Sequence, residues 1–320
     1  MFKYIKPLLG KFGIYDHAAN FYIKNIVRYS AKLKGINIKY FEKDGIKCIS
    51  FLRGQKEIII SEKNYIYSKD IIKEYDYYFN SVEFNELSTK KTVDYSKKRE
   101  HKLKKSGLIF EFVSLPESEE TTDLYIKNAN LKNGDVVLDL GCYCGASTHA
   151  FSKQVGLNGK VYAFEPDPLS FASLKQNIQR HCLENVILFN NGVWSERTKL
   201  NFQSEGNLGS SITSISGRKN GMVKIDVISI NDLVLDYKID RIDFIKMDIE
   251  GAETYVLKSI PIILQKFKPR LIIEPHFVNG KLNTQEIIEF LKCNKYECKI
   301  LQQGECVLPL IYAIHQEGSE

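Results

Sequence analysis

The chain has 320 residues, of which 43% are hydrophobic and 26% charged. That balance suits a globular protein of one large domain or two, and it excludes disorder as the main state. Its net charge of +6 divides unevenly, into +11 over residues 1–105 and −5 over the remainder. No run approaches the roughly 18 apolar residues of a membrane span, and MFKYIKPLLGKFGIYDH lacks the apolar core and cleavage site of a secretion signal. A cytoplasmic protein without a membrane span is therefore expected. The seven cysteines are odd in number and scattered, which points to reduced thiols rather than a disulfide framework. Cys142-Tyr143-Cys144 is too tight for a zinc knuckle, so no metal is expected there.

In chain order, YDHAANFYIKNIVRYSAKLKG places Phe21, Ile26, Tyr29 and Leu33 near helical spacing and reads as an amphipathic helix. IKCISFLRGQKEIIIS reads as two strands turning at Arg53-Gly54-Gln55, and DIIKEYDYYFNSVEF as a helix. The polar, basic stretch NELSTKKTVDYSKKREHKLKK, residues 85–105, reads as an exposed connection whose charge is a solvated surface. GLIFEFVSLP is a strand, and the following helix start carries Pro116, Glu117, Glu119, Glu120 and Asp123, acids that suit a positive helix end. From Asp135 the strands DVVLDLG, KVYAFEP, NVILFNN, RIDFIKMD and RLIIEPH alternate with helices in THAFSKQV, PLSFASLKQNIQRHC, AETYVLKSIPIILQKF and TQEIIEFLKC. That alternation predicts a mostly parallel sheet covered on both faces, closed by a hairpin of YECKILQQ and PLIYAIHQ.

Ligands of open α/β sheets bind at the carboxyl ends of the strands, where strand order reverses. Asp139-Leu140-Gly141-Cys142-Tyr143-Cys144-Gly145 is a strand, a glycine turn and a helix start, with Gly-x-x-x-Gly in place of the Gly-x-Gly-x-x-Gly of dinucleotide enzymes. Glu165 ends the next strand at the interval where an acid accepts hydrogen bonds from ribose hydroxyls, or else it caps the helix after Pro166 and Asp167. Together the two features favour a nucleoside ligand. After the third strand, Asn190 or Asn191 is placed to meet an adenine edge and Val193 or Trp194 to cover its face, the alternative for Trp194 being a core position.

These motifs, with VISINDLV, FIKMDIEGAETYVLKS and PRLIIEPH, stand in an order and spacing that resembles the FkbM-type S-adenosylmethionine-dependent methyltransferases over about residues 118–277. The resemblance implies an α/β, Rossmann-like methyltransferase fold over residues 118–320. Residues 1–117 fall outside it and read, from their charge and patterning, as a basic α+β extension that selects the acceptor or makes a homodimer contact. It also implies S-adenosyl-L-methionine as cofactor, held by Asp139, Gly141, Cys142 and Gly145 at the methionine end. Glu165 and Pro166 would then serve the ribose, Asn191, Gly192 and Val193 the adenine region, and Asp248 would flank the site. Members with an assigned role are mostly O-methyltransferases, so the expected acceptor is a hydroxyl of a sugar, glycan or other small molecule.

Asp248 ends the fourth strand. Three roles are open to it: base for the acceptor hydroxyl, partner of Glu250, Glu274 or His276 in holding a divalent metal, or orientation of the cofactor. Extended backbone would turn Asp248 and Glu250 to one face, and His276 is a further proton acceptor sharing a face with Glu274. Glu253 reads as a solvated or dipole-matching acid. The Gly- and Ser-rich stretch QSEGNLGSSITSISGRKNG reads as a substrate loop, with Ser210, Ser211 and Thr213 as polyol contacts, or as a surface excursion. The base-amine Asn-Pro-Pro-aromatic tetrapeptide is absent, so nucleic acid is not the expected acceptor. O-methylation of RNA ribose and a non-catalytic nucleoside-binding module stand as alternatives, and a nicotinamide oxidoreductase is disfavoured by the glycine spacing.

Overall fold

A computed structural model describes residues 18–87, 90–117, 119–204, 211–212, 222–303 and 308–317. The chain forms two compact units, Met1–Pro116 and Glu117–Glu320. No helix among the described residues is long and apolar enough to cross a membrane.

The first unit holds a helix, Ala18–Leu33, and a five-stranded sheet. Strands Ile46–Arg53 and Lys56–Ser61 pair antiparallel as the turn at Gly54 requires. The expected helix over residues 70–84 is two short ones, Ser68–Lys73 and Tyr75–Asn80. The expected exposed connection over residues 85–105 is not one. Lys90–Tyr95 is an inner strand, parallel to Lys56–Ser61 and antiparallel to Asn85–Leu87, and Thr92, Val93, Asp94 and Tyr95 are buried. Its lysines mask the apolar positions in composition. The charge is neutralised locally, because Lys90, Lys97, Lys98 and Lys102 pair with Glu57, Asp44, Glu111 and Glu83.

The second unit is α/β. Its central sheet contains β1 (Val136–Leu140), β2 (Lys160–Phe164), β3 (Val186–Phe189), β4 (Phe244–Met247), β5 (Arg270–Ile273), β6 (Tyr296–Leu301) and β7 (Leu310–His315). They lie in the order 3-2-1-4-5-7-6. The first five are parallel, and β7 runs antiparallel to both β5 and β6. The helices are α1 (Glu119–Ala129), α2 (Ala146–Val155), α3 (Pro168–Arg180), α4 (Ile230–Asp236), α5 (Glu253–Ser259), α6 (Pro261–Phe267) and α7 (Thr284–Cys293).

Alternation along the strands divides the core. Leu138, Leu140, Ile245, Met247, Leu271 and Ile273 pack with residues of α4–α7, whereas Val137, Phe244 and Ile272 pack with Tyr125 of α1 and Phe151 and Val155 of α2. Strands buried on both faces read as continuous apolar runs, and burying each such large side chain contributes about 1.5–3 kcal/mol. Helix starts follow local chemistry. Asp167 caps α3 by accepting from the backbone N–H groups of Leu169 and Ser170 ahead of Pro168, and Ser229 and Asp232 form a capping box on α4. The single helix expected over AETYVLKSIPIILQKF is broken between α5 and α6, where Pro261 has no N–H to continue the ladder. A second sheet, formed by Gly192–Val193, Thr198–Gln203, Ser211–Ile212 and Met222–Ile228, lies between β3 and α4 in the chain. Ser211 pairs through its backbone with Gln203; Ser210 and Thr213 lie outside the described residues.

Candidate active site

Strand order reverses between β1 and β4, and their carboxyl ends form one mouth. Gly141 follows β1 at φ 77°, a conformation that favours glycine. A Cβ added there would stand 1.8 Å from the Asp248 carbonyl oxygen, so the glycine lets the two strand ends close on each other. The N–H groups of Gly141 and Cys142 both donate to the Phe164 carbonyl at 3.0 Å, tying the turn to β2. Asp139 is fully buried. Its Oδ2 accepts from Ser147 Oγ at 2.9 Å and Thr148 Oγ1 at 2.6 Å, while its Oδ1 has no hydrogen-bond partner among the described residues.

Lys246, the one polar residue of β4, is 1% exposed. Its ammonium donates to the Gly141 carbonyl and lies 3.7 Å from both Asp139 Oδ1 and Asp248 Oδ2. Burial alone would depress that ammonium, but Asp248, Asp139 and Glu117 outweigh it and raise its pKa. Glu117 does not serve the start of α1. Its Oε2 instead accepts from the Ala146 N–H at 3.0 Å, at the first residue of α2, and burial pushes its carboxyl up to about 8. At Gly145, φ is 91°, and a Cβ would meet only the end of the Leu174 side chain, at 2.5 Å. The Cys142 side chain is fully buried beside Ala163, Leu174 and Ile178, so any ligand contact from this residue comes through its backbone.

Glu165 is buried at the end of β2. Its two oxygens accept from the backbone N–H groups of Tyr143, at 2.9 Å, and Asp167, at 2.8 Å. A carboxylate has about four lone-pair directions, so acceptor capacity remains. Burial pushes its pKa up to about 8. Asn190 braces this corner by donating to the Glu165 carbonyl at 2.9 Å. Asn191 is half-buried and donates to the Asp226 carbonyl at 3.4 Å. Gly192 and Val193 are buried and pair in parallel with Val227 and Ile228, and a Cβ on Gly192 would approach Pro166 at 3.8 Å. Trp194 stacks on Tyr255, ring centroids 4.6 Å apart.

The acids after β4 converge on one imidazole. Strand β4 ends at Met247, so Asp248 and Glu250 are not brought together by strand alternation. Glu250 sits in a turn at φ 52°, and that turn gathers them: His276 Nε2 is 3.5 Å from Asp248 Oδ1, 3.7 Å from Glu250 Oε1 and 4.0 Å from Glu274 Oε1. Its Nδ1 lies 2.8 Å from Glu253 Oε1. Glu253 is neither solvated nor a simple dipole partner. It is fully buried, and it accepts from Asn283 Nδ2 at 2.9 Å and from the N–H groups of Gly251 and Ile249. Burial would raise its carboxyl, but His276 and these donors hold it below the ordinary value. Burial likewise acts to lower His276, and Glu250, Glu253 and Asp248 more than reverse this, raising its pKa. Glu250 is pushed up to about 8 by burial, and Glu274 to about 7 by burial and Asp248. Glu274 Oε2 accepts from Gln303 Nε2 at 3.0 Å, and Gln303 Oε1 from Thr121 at 2.7 Å.

Sequence reasoning missed Lys246, the relocation of Glu117, and the Glu253–Asn283 support of His276. A lysine inside the run FIKM was the available signal for the first. A cleft of about 370 Å³ lined by Tyr255, Lys258, Asn279, Lys281 and Glu286 contains none of the predicted site residues. The meeting of the strand ends, rather than cavity size, therefore marks the site.

Residues 140–298 match the model of the methyltransferase FkbM domain. The chain carries an FkbM-type methyltransferase domain. Such domains depend on S-adenosylmethionine, and the match takes in the glycine turn, Glu165, Asp248 and His276. The FkbM-type chain is similar to the 2-O-methyltransferase NoeI of Sinorhizobium fredii, at 25% identity over 174 residues, 49% of this chain and 67% of that protein. It is similar to the hexuronic acid methyltransferase AglP of Haloferax volcanii, at 31% over 142 residues, 44% of this chain and 56% of that protein. A tRNA (adenine(58)-N(1))-methyltransferase catalytic subunit of Yarrowia lipolytica matches at 36% over 80 residues, 23% of this chain and 21% of that protein. The matched stretches thus span between a fifth and two thirds of these relatives.

Proposed function

We propose that the FkbM-type domain methylates a hydroxyl group of a sugar, glycan or other small polyol. The observation that carries this reading is the convergence of Asp248 and Glu250 on His276 directly beside the Gly141 turn. Two further features fit the cofactor: the buried Asp139 Oδ1 left without a hydrogen bond, and the Glu165 carboxylate at the end of β2. S-adenosylmethionine supplies an electrophilic methyl group on a sulfonium. Asp139 and the glycine turn hold the methionine end, Glu165 accepts from the ribose hydroxyls, and Asn191, Gly192 and Val193 border the adenine. Positioning of donor and acceptor supplies much of the acceleration, up to about 7–11 kcal/mol in favourable cases. The acceptor proton passes to Asp248, a contribution of roughly 100-fold or more. Two curated relatives are named for methylation of a 2-oxygen and of a hexuronic acid, which supports a carbohydrate acceptor. Residues 1–117 select the acceptor or make a dimer contact. The free thiols of Cys48, Cys142, Cys182, Cys293 and Cys298 suit a reducing, cytoplasmic setting.

The test is methyl transfer from labelled S-adenosylmethionine to a panel of sugars and uronic acids, for wild type and Asp248→Asn. The variant should lose about 100-fold in kcat while its affinity for S-adenosylhomocysteine stays within threefold. Unchanged turnover in the variant would remove Asp248 from the chemistry. Failure of folded wild-type protein to bind either sulfur nucleoside would end the reading.

A further inference from the structure

The geometry points to a divalent-metal site formed by Asp248, Glu274 and His276, whose two carboxylates suit Mn2+, the ion used as the probe. The donor atoms of these three side chains lie within 4.8 Å of one another. His276 Nε2 stands 3.5 Å from Asp248 Oδ1 and 4.0 Å from Glu274 Oε1. Two ligands each about 2.1 Å from one ion lie roughly 3.0–4.2 Å apart, so both distances agree with a shared centre.

The second observation is the setting of the histidine. His276 is 8% exposed, and its Nε2 makes no hydrogen bond among the described residues, although it points into the cluster. Its other nitrogen is committed to Glu253, which is fully buried and fixed by Asn283 and two backbone N–H groups. A ligating histidine characteristically places its second nitrogen on a carboxylate in this way, which fixes the ring and directs the other nitrogen at the metal. Glu274 is prepared likewise: Gln303 occupies Oε2 and leaves Oε1 facing His276. Charge argues in the same direction. The carboxylates of Asp248 and Glu250 make no hydrogen bond among the described residues, and with His276 neutral, as a ligating imidazole must be, the cation beside Asp248 is Lys246, 3.7 Å away. The excess of carboxylates calls for a further positive charge.

The site itself follows from the side chains. The ion's role rests on the hydroxyl-methylation reading: bound beside the acceptor, it would acidify the hydroxyl, and Asp248 would then serve as its ligand in place of the direct base.

The test is titration of the EDTA-stripped full chain with MnCl2, read by loss of the free Mn2+ paramagnetic resonance signal, for wild type, Asp248→Asn, Glu274→Gln, Glu253→Gln and the exposed control Glu286→Gln. Trp194 fluorescence verifies folding. We expect one Mn2+ per wild-type chain, at least tenfold weaker binding in the first two variants, a loss of about 10–100-fold in Glu253→Gln, and no change in the control. Folded wild type that takes up no Mn2+, or uptake unaffected by all variants, overturns the site. S-adenosylhomocysteine titrations on the same samples separate the two readings. Binding of the nucleoside without Mn2+ uptake removes the ion and leaves methyl transfer standing, whereas Mn2+ uptake without nucleoside binding does the reverse.

Discussion

Gly141→Ala tests whether the junction of β1 and β4 is as tight as the fold requires. The added Cβ would lie 1.8 Å from the Asp248 carbonyl oxygen and 2.9 Å from its carbon, and an ordinary contact is roughly 3.5 Å. The segments would have to separate by about 1.7 Å, which breaks the 3.0 Å bond from Asp248 N–H to the Leu140 carbonyl. Overpacking against backbone costs about 1–3 kcal/mol, a side chain at positive φ about 1–2, and the lost hydrogen bond about 1. The sum is about 3–6 kcal/mol, or roughly 6–24 °C in Tm for a unit of this size. Gly145→Ala provides the contrast. Its φ is also positive, which costs about 1–2 kcal/mol, but the obstruction is the end of the Leu174 side chain, which can rotate and adds at most about 1, so the expected cost is about 1–3 kcal/mol. Trp194, the chain's one tryptophan, lies in the second unit and reports its melting, and calorimetry with S-adenosylhomocysteine reads the site. A Gly141→Ala protein that melts within 2 °C of wild type, or a Gly145→Ala protein that is the more damaged, would refute the reasoning.

Lys246→Met keeps the volume but strips Asp139, Asp248 and the Gly141 carbonyl of their shared cation. Leaving buried charge unpaired costs about 3–5 kcal/mol; a Tm change below 2 °C in thermal denaturation would contradict this. The cofactor-free protein should lose stability as pH rises. Glu117 and Glu165 have folded-state values of about 8, above the ordinary carboxyl value, so their contribution is full below that ordinary value and is lost as pH passes through about 8. Each accounts for at most ~1.4 kcal/mol per pH unit. Glu117→Gln can still accept from the Ala146 N–H, and its Tm between pH 6 and pH 9 should fall less than that of wild type; parallel curves would show that Glu117 is not the source.

The parallel strands of the second unit were legible because a strand buried on both faces must be almost entirely apolar, and DVVLDLG, FIKMD and RLIIEPH leave little alternative. The glycine turn and the acids at strand ends followed from that register. What remained hidden depended on partners remote in sequence. Glu253 looks like any acid in a first helical turn until Asn283 and His276 enclose it. Glu117 lies 29 residues from the N–H it satisfies. Residues 90–95 carry a strand's burial beneath two lysines, of which Lys90 meets Glu57 of the neighbouring strand. The convergence of Asp248 and Glu250 was anticipated for the wrong reason, since a left-handed turn at Glu250 does what a strand would have done.

The position of β7 has a consequence for synthesis. It is made last yet lies between β5 and β6, so β6 leaves the ribosome before the strand that joins it to the sheet exists. Until residues 310–315 emerge, the edge of β5 formed by Leu271, Ile272 and Ile273 has no partner, and such an apolar edge invites pairing between nascent chains. The carboxyl-terminal strand is therefore the bolt of the sheet: until it slides home, the wall that carries Glu274 and His276 has an open side, however well the cofactor end has already formed.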